Sequence, residues 1–301
     1  FIVLLKELID EIPDIEYQEG ADITKMTTFR LESQADLAIV KTTDALSSLI
    51  KILKKNKVKY LILGMGANQI LPQRIDSLII HLKFNFNQDL LSEFKDDYVV
   101  PASVTLNHLT SAAVRHGLSG WEVFTGIPAT LGGAIFMNAG TTLGEIGSLI
   151  KEVYLVDQFG ESKTHVVTEG SFSYRKNHFV EDGDVIVGAK ISHRGKDQQI
   201  PDKIKSYLEY RKKTQPLATK NCGCVFKNPS KLYQAGRLID QLGLKGFRNG
   251  GLQVSLKHAN FVENQSSSNW DQFRDLTQAI KWQMNMFYGI EFELEVKIPY
   301  H

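Results

Sequence analysis

The segment that most restricts this chain runs Gly126-Ile127-Pro128-Ala129-Thr130-Leu131-Gly132-Gly133-Ala134-Ile135-Phe136-Met137-Asn138-Ala139-Gly140, with four glycines interleaved with alanines. Glycine loses more backbone entropy on ordering than any other residue and brings no side chain to pack, so the stretch destabilises a fold unless something occupies the space beside it. One occupant is a bound cofactor; the alternative is a buried glycine-rich turn. A second run, Gly64-Met65-Gly66-Ala67-Asn68, follows the β-rich stretch Val58-Lys59-Tyr60-Leu61-Ile62-Leu63. Its glycines let the main chain turn N–H groups toward a phosphate, although the third glycine of the dinucleotide fingerprint is missing and an ordinary tight turn reads the same way. Two such segments in one chain favour an occupant over two unrelated turns.

A chain of 301 residues holds about two domains, with three small ones also allowed. Apolar residues at 43% and charged residues at 23% match a soluble globular protein with a real core. The net charge of +1 supplies no global field for nucleic acid or an anionic membrane, so any anionic ligand must be held by local groups. The opening run Phe1-Ile2-Val3-Leu4-Leu5 meets Lys6, Glu7 and Asp10, too short and too charged for a secretory or membrane-spanning segment. Cys222 and Cys224 are separated by one residue, a spacing that strains a disulfide and offers too few thiolates for structural zinc. The expectation is a reducing, cytoplasmic compartment and no metal site.

Residues 35–41 alternate as a strand, Leu46, Leu49, Ile50 and Leu53 recur at helical spacing behind Thr43 and Asp44, and residues 58–63 form a second strand: a βαβ unit. Strands are predicted at 78–86 and 98–100, then a helix through Leu106, Leu109 and Ala113 that Gly117 ends. Residues 150–193 read as short strands turning at Gly160 and Asp182-Gly183, and the polar stretch Arg194 to Pro201 reads as a linker. Between Asn269 and Gly289, Phe273, Leu276, Ile280 and Phe287 mark a helical stripe. Ile290, Phe292, Leu294, Val296 and Ile298 then alternate with charged residues as a half-buried strand.

Several single residues carry chemistry of interest beside plainer readings. Arg175 lies where strand signals fade into a loop, placing a guanidinium where it stabilises an oxyanion or simply meets solvent. Cys224 sits on a polar, glycine-containing approach to a strand and is either a thiol acid or a small buried hydrophobe. His258 is a candidate partner or a structural histidine. Glu295 shares the polar face of the last strand with Glu291 and Glu293, where mutual repulsion raises carboxyl pKa values if the face is dry, and where a wet face is the default.

The order of the motifs adds more than any one of them. Thr27-Thr28-Phe29-Arg30, Ala35-Asp36, Gly64 to Asn68, Gly117 to Glu122, Gly126 to Ala134, Met137 to Gly140, Tyr174-Arg175, Gly223-Cys224-Val225-Phe226-Lys227-Asn228-Pro229, Ala235 to Ile239, Gly243 to Gly246, His258-Ala259-Asn260 and Glu295 to Lys297 occur in sequence. This order resembles the UDP-N-acetylenolpyruvoylglucosamine reductase family, in its shorter form, from about residue 20 to 298. The resemblance implies an α+β chain with a vanillyl-alcohol-oxidase-type FAD fold: subdomains over residues 1–80 and 81–200, and a substrate domain over 201–301. It implies FAD held by Gly64, Met65, Gly66, Ala67 and Asn68, by Gly126, Ile127, Pro128, Ala129, Thr130, Gly132, Gly133 and Ala134, and by Asn138, Ala139 and Gly140. NADPH would reduce the flavin, which would then deliver hydride to the enolpyruvyl group of a UDP-sugar in peptidoglycan synthesis. Arg175 and Glu295 would stabilise the developing charge, Cys224 would donate the proton, and Lys227, Asn228 and His258 would contact substrate. A monomer acting on small molecules, without nucleic acid or membrane, completes the expectation.

Many members have serine where this chain has Cys224. A thiol, with a reference pKa near ~8.5, is a stronger acid than an alkyl hydroxyl, so the role survives while oxidation and alkylation become possible. Glu32-Ser33 replaces a glycine pair, and Met65 with Ala67 replaces a glycine and a serine. Two alternatives stay open: a flavin oxidase or dehydrogenase of the same fold with another substrate, and a silent nucleotide-binding protein, the reading that the Glu32-Ser33 and Met65 departures support.

Overall fold

The computed structural model describes residues 2–299, whose path forms two units: residues 1–19, 36–64 and 77–209 in unit 1, and 20–35, 65–76 and 210–301 in unit 2. Phe1 of the opening run lies outside the described residues; from Ile2 the run is helix α1 (Ile2–Asp10).

Unit 1 contains a sheet ordered β1 (Ile15–Asp22), β2 (Gln34–Val40), β4 (Leu78–Leu82), β3 (Tyr60–Ile62), in which β2 and β3 both run parallel to β4. The crossover is α2 (Thr43–Lys55). Thr42 starts it by accepting the Ala45 N–H on Oγ1 at 3.2 Å, and Asp44 and Lys54-Lys55 suit the two ends of its dipole. Leu46, Leu49, Ile50 and Leu53 are fully buried, as the helical spacing predicts. A second, antiparallel sheet is ordered β5 (Asp97–Pro101), β12 (Val185–Ser192), β8 (Ile150–Val156), β9 (Ser162–Val166). Helix α3 (Leu106–His116) ends at Gly117 in the left-handed region. Helix α4 (Leu131–Phe136) and the hairpins β6 (Gly140–Thr141) with β7 (Gly144–Glu145) and β10 (Phe172–Ser173) with β11 (Lys176–Asn177) complete the unit. The 194–201 stretch is not a free linker. Arg194, Gly195 and Asp197 exchange main-chain hydrogen bonds with Gly117 and Ser119, so the polar residues lie along the 117–119 segment before α5 (Ile200–Thr214) begins.

Unit 2 contains an antiparallel sheet ordered β13 (Asn221–Cys224), β16 (Phe261–Asn264), β15 (Leu252–Val254), β14 (Arg248–Asn249), with helices α6 (Ala235–Gln241) and α7 (Trp270–Tyr288). A reciprocal capping box between Asn269 and Gln272 fixes the start of α7, and Gly289 ends it. Its buried stripe is Phe273, Leu276, Ile280 and Met284; Phe287, read from sequence as part of that stripe, is 68% exposed in the last turn. Residues 290–298 are also not a ladder strand. They form an extended segment held by single bridges, Leu294 to Phe226 and Lys297 to Gln69. Phe292 and Val296 are still buried while Glu291, Glu293 and Lys297 are exposed, because a period of two records one covered face and does not require a continuous neighbouring strand.

Candidate active site

The loop after β3 leaves a run of main-chain donors unused. Leu63 donates its N–H to Ile80 at 2.9 Å. Among the described residues, the next five main-chain N–H groups, from Gly64 to Asn68, donate to no internal acceptor. A run of unused donors in a glycine turn is how main chain binds phosphate, and it fits the pyrophosphate of FAD. Gly66 is required there twice over: its φ is 59°, and a Cβ would lie 2.7 Å from the Met26 carbonyl oxygen and 2.8 Å from Thr27 Cα. From Met65 onward the loop belongs to unit 2, where Lys297 donates its N–H to the Asn68 carbonyl at 2.8 Å and Ile70 returns one to Lys297 at 2.9 Å.

The longer glycine segment behaves differently. Its N–H groups are largely used within unit 1: Ile127 to Phe124, Gly132 to Ala102, Ala134 to Thr130, Asn138 to Ile135 and Ala139 to Ala134. Gly132 is small because Ala102 stands in the way, 2.9 Å from where a Cβ would sit. Around exposed Gly133 the segment is open, with only Thr130 Oγ1, at 3.4 Å, near a built Cβ. A cofactor lying on this segment therefore meets surface, carbonyls and side chains more than free N–H donors.

In unit 2, Cys224 ends β13 after a bulge, since Asn221 pairs with Glu263 and Cys224 with Phe261. Gly223 has φ 73° and open space beyond its α-carbon. The chain after Cys224 is fixed by Asn260, which is 3% exposed. Its Oδ1 accepts the Phe226 N–H at 3.0 Å, its Nδ2 donates to the Phe226 carbonyl at 2.9 Å, and its own carbonyl accepts the Val225 N–H at 2.9 Å. Glu295 joins from the other side. Its N–H donates to the Val225 carbonyl at 2.8 Å, and its carbonyl accepts from Asn68 Nδ2 at 3.3 Å. Unit 2 thus brings Cys224, Glu295 and the end of the 64–68 loop together through main-chain bonds.

The remaining expected residues have defined partners. Lys227 pairs with Glu293 at 2.8 Å, which holds the Glu293 carboxyl below the usual carboxylate range. Asn228 Oδ1 accepts the first N–H of α6, from Ala235, at 3.0 Å. His258 Nδ1 accepts the Asn260 N–H at 3.2 Å, which assigns the ring proton to Nε2, and burial lowers its pKa. Cys222 is buried, and that burial pushes its thiol pKa up. In unit 1, Arg175 occupies the β10–β11 turn with φ 57°, its guanidinium 5.3 Å from the Tyr174 ring centroid. Sequence reasoning did not single out Asn260 as a site residue. The available signal was a lone amide between Ala259 and the apolar pair Phe261-Val262.

Residues 35–164 match the model of an FAD binding domain, and residues 215–299 match that of the UDP-N-acetylenolpyruvoylglucosamine reductase C-terminal domain. A protein of Lactobacillus acidophilus named UDP-N-acetylenolpyruvoylglucosamine reductase is 34% identical over 293 residues, covering 94% of this chain and 95% of its own length. The chain belongs to the UDP-N-acetylenolpyruvoylglucosamine reductase family. A reductase of the same name from Heliobacterium modesticaldum is 30% identical over 286 residues, covering 94% of this chain and 90% of its own. The crystal structure of the reductase from Thermus caldophilus aligns with a TM-score of 0.80 at 29% identity, covering 94% of this chain and 99% of that one. Family membership and this match agree on the α+β fold.

Proposed function

We propose that this chain is an FAD-dependent oxidoreductase that uses NADPH to reduce the enolpyruvyl group of UDP-N-acetylenolpyruvoylglucosamine, giving UDP-N-acetylmuramic acid for peptidoglycan. The observation that carries the reading is the run of five unused N–H donors from Gly64 to Asn68, joined through Asn68 to the segment holding Glu295 beside Val225. FAD, when bound, supplies the hydride-transfer chemistry between NADPH and the enolpyruvyl double bond.

The chain's own task is to manage charge and one proton. Hydride addition at the methylene carbon leaves negative charge on the carbon next to the carboxylate. The Arg175 guanidinium suits that charge as a fixed, planar donor, and the Glu295 carboxyl assists. Cys224 delivers its Sγ proton to the same carbon, and the bulge at Gly223 leaves the thiol half-exposed while Asn260 fixes the chain behind it. Lys227, Asn228 Nδ2 and the His258 Nε2–H offer donors to the UDP-sugar. Among the described residues no helix is long and apolar enough to cross a membrane, and the reading places a monomer in the cytoplasm with its small-molecule substrates.

The test is turnover with product analysis. NADPH oxidation beyond the single equivalent that reduces the flavin should require the UDP-enolpyruvyl sugar, with a product two mass units heavier than the substrate. Turnover of another alcohol or sugar, with none on this substrate, would overturn the assignment.

A further inference from the structure

Arg175 sits in a turn whose left-handed conformation calls for support from neighbouring contacts. The β10–β11 hairpin has only two residue pairs, Phe172 with Asn177 and Ser173 with Lys176, and a ladder that short is not stable alone. Its turn also places Arg175 at φ 57°, in the left-handed region that an arginine occupies only when neighbouring contacts hold it. The hairpin's own arms add a Ser173 Oγ to His178 Nε2 hydrogen bond at 2.8 Å and a His178 N–H to Ser171 carbonyl bond at 3.0 Å, and further contacts come from the segment after α4. Asn138 is 1% exposed, with φ 43°. Its Nδ2 donates to the Ser173 carbonyl at 2.9 Å and to Glu145 Oε2 at 2.9 Å, and its Oδ1 accepts the Gly147 N–H at 3.0 Å. Gly147 has no room for a side chain, since a Cβ would lie 2.8 Å from Asn138 Oδ1 and 2.7 Å from the Phe172 ring. The second strand is tied to the same segment, where Asn177 Nδ2 donates to the Phe136 carbonyl at 2.8 Å.

We infer that Asn138 is a positioning residue for Arg175: its carboxamide fixes Ser173, two residues before Arg175, and so sets where Arg175 presents its charge. The Asn138 side chain has both amide hydrogens and its oxygen committed within unit 1, one of those hydrogens to the hairpin. This inference rests on the role given to Arg175 above.

The test uses the flavin-loaded enzyme and three variants, Asn138→Asp, Arg175→Ala and the double variant. Aspartate keeps the shape, tolerates positive φ and still accepts the Gly147 N–H, but its carboxylate cannot donate to Ser173 or Glu145. Flavin reduction by NADPH and flavin reoxidation by the UDP-enolpyruvyl sugar are followed separately under anaerobic conditions. Asn138→Asp should leave reduction within about twofold and slow reoxidation by at least about tenfold, and the double variant should be no slower than Arg175→Ala. Multiplied losses in the double variant, equal slowing of both half-reactions, or unchanged reoxidation would overturn the inference. Asn138→Gly, which carries the positive φ without strain, guards against a folding defect; if it and the aspartate variant both lose flavin, the residue acts on cofactor retention and the inference fails. Normal reoxidation in Arg175→Ala would instead sink the parent reading of Arg175.

Discussion

Replacing Asn260 with alanine removes the two hydrogen bonds that pin Phe226, and their energetic weight follows from burial. Phe226 is 1% exposed, so its N–H and carbonyl, now bonded at 3.0 and 2.9 Å, would be left without partners away from water. Each such group costs about 1–3 kcal/mol, which sums to about 4 kcal/mol for the pair. At roughly 4 °C per kcal/mol for a unit of this size, unit 2 should melt about 16 °C lower. Urea unfolding followed by tryptophan fluorescence is the assay, because Trp270 and Trp282 report on unit 2 while Trp121 reports on unit 1. The midpoint of the unit 2 transition should fall with its slope unchanged. Asn228→Ala serves as the control, since it removes a single bond to the Ala235 N–H and should cost only about 1 kcal/mol. A loss below about 1 kcal/mol for Asn260→Ala would refute the claim that this amide holds the strand behind Cys224.

Cys224→Ala should leave flavin reduction by NADPH within about twofold and slow reoxidation by substrate about a hundredfold, while Cys224→Ser retains much of the rate; equal damage to both half-reactions would remove the thiol from the proton step. Iodoacetamide should label one thiol in the native protein, half-exposed Cys224, and two in urea, because Cys222 is buried and its pKa is raised by that burial; two labels on the native chain, counted by mass spectrometry, would contradict this. Gly66→Ala should purify with much less flavin, since its φ of 59° and the Met26 carbonyl exclude a side chain; full flavin content would argue against the loop as the cradle. Burial lowers the His258 pKa, so above the free imidazole value of about 6.5 the ring is neutral in folded and unfolded chains and contributes nothing. Below that value the unfolded chain takes up a proton that the folded one resists, and stability falls. His258→Gln should therefore lose less stability than the parent between pH 7.5 and 5.5 in urea titrations, and an identical loss would exclude this source.

The features that the sequence made legible are those whose cause is local. Helix α7 announces itself because Asn269 caps it, Gly289 stops it and Phe273, Leu276 and Ile280 repeat along one face. Gly117 ends α3 for the same kind of reason. Features with distant causes were not legible. The alternation at 290–298 is real in burial, but among the described residues it pairs only through single bridges at Leu294 and Lys297, which residue order alone does not reveal. Asn260 matters through main-chain groups 34 positions away, and polar residues 194–197 bind Gly117 and Ser119 far back in the chain. At Gly132 the absent side chain is explained by Ala102, 2.9 Å from where a Cβ would sit, a neighbour 30 positions away that residue order does not reveal. In the 64–68 loop the same residue type leaves its donors unused, and only the hydrogen-bond pattern separates the two cases.

The most direct measurement is the visible absorption spectrum of the purified protein, followed without oxygen through one equivalent of NADPH and then one of the UDP-enolpyruvyl sugar. The account predicts a yellow protein that bleaches with the first addition and recovers its colour with the second. A colourless protein that takes up no added FAD, or a bleached one that the sugar leaves bleached, would contradict it.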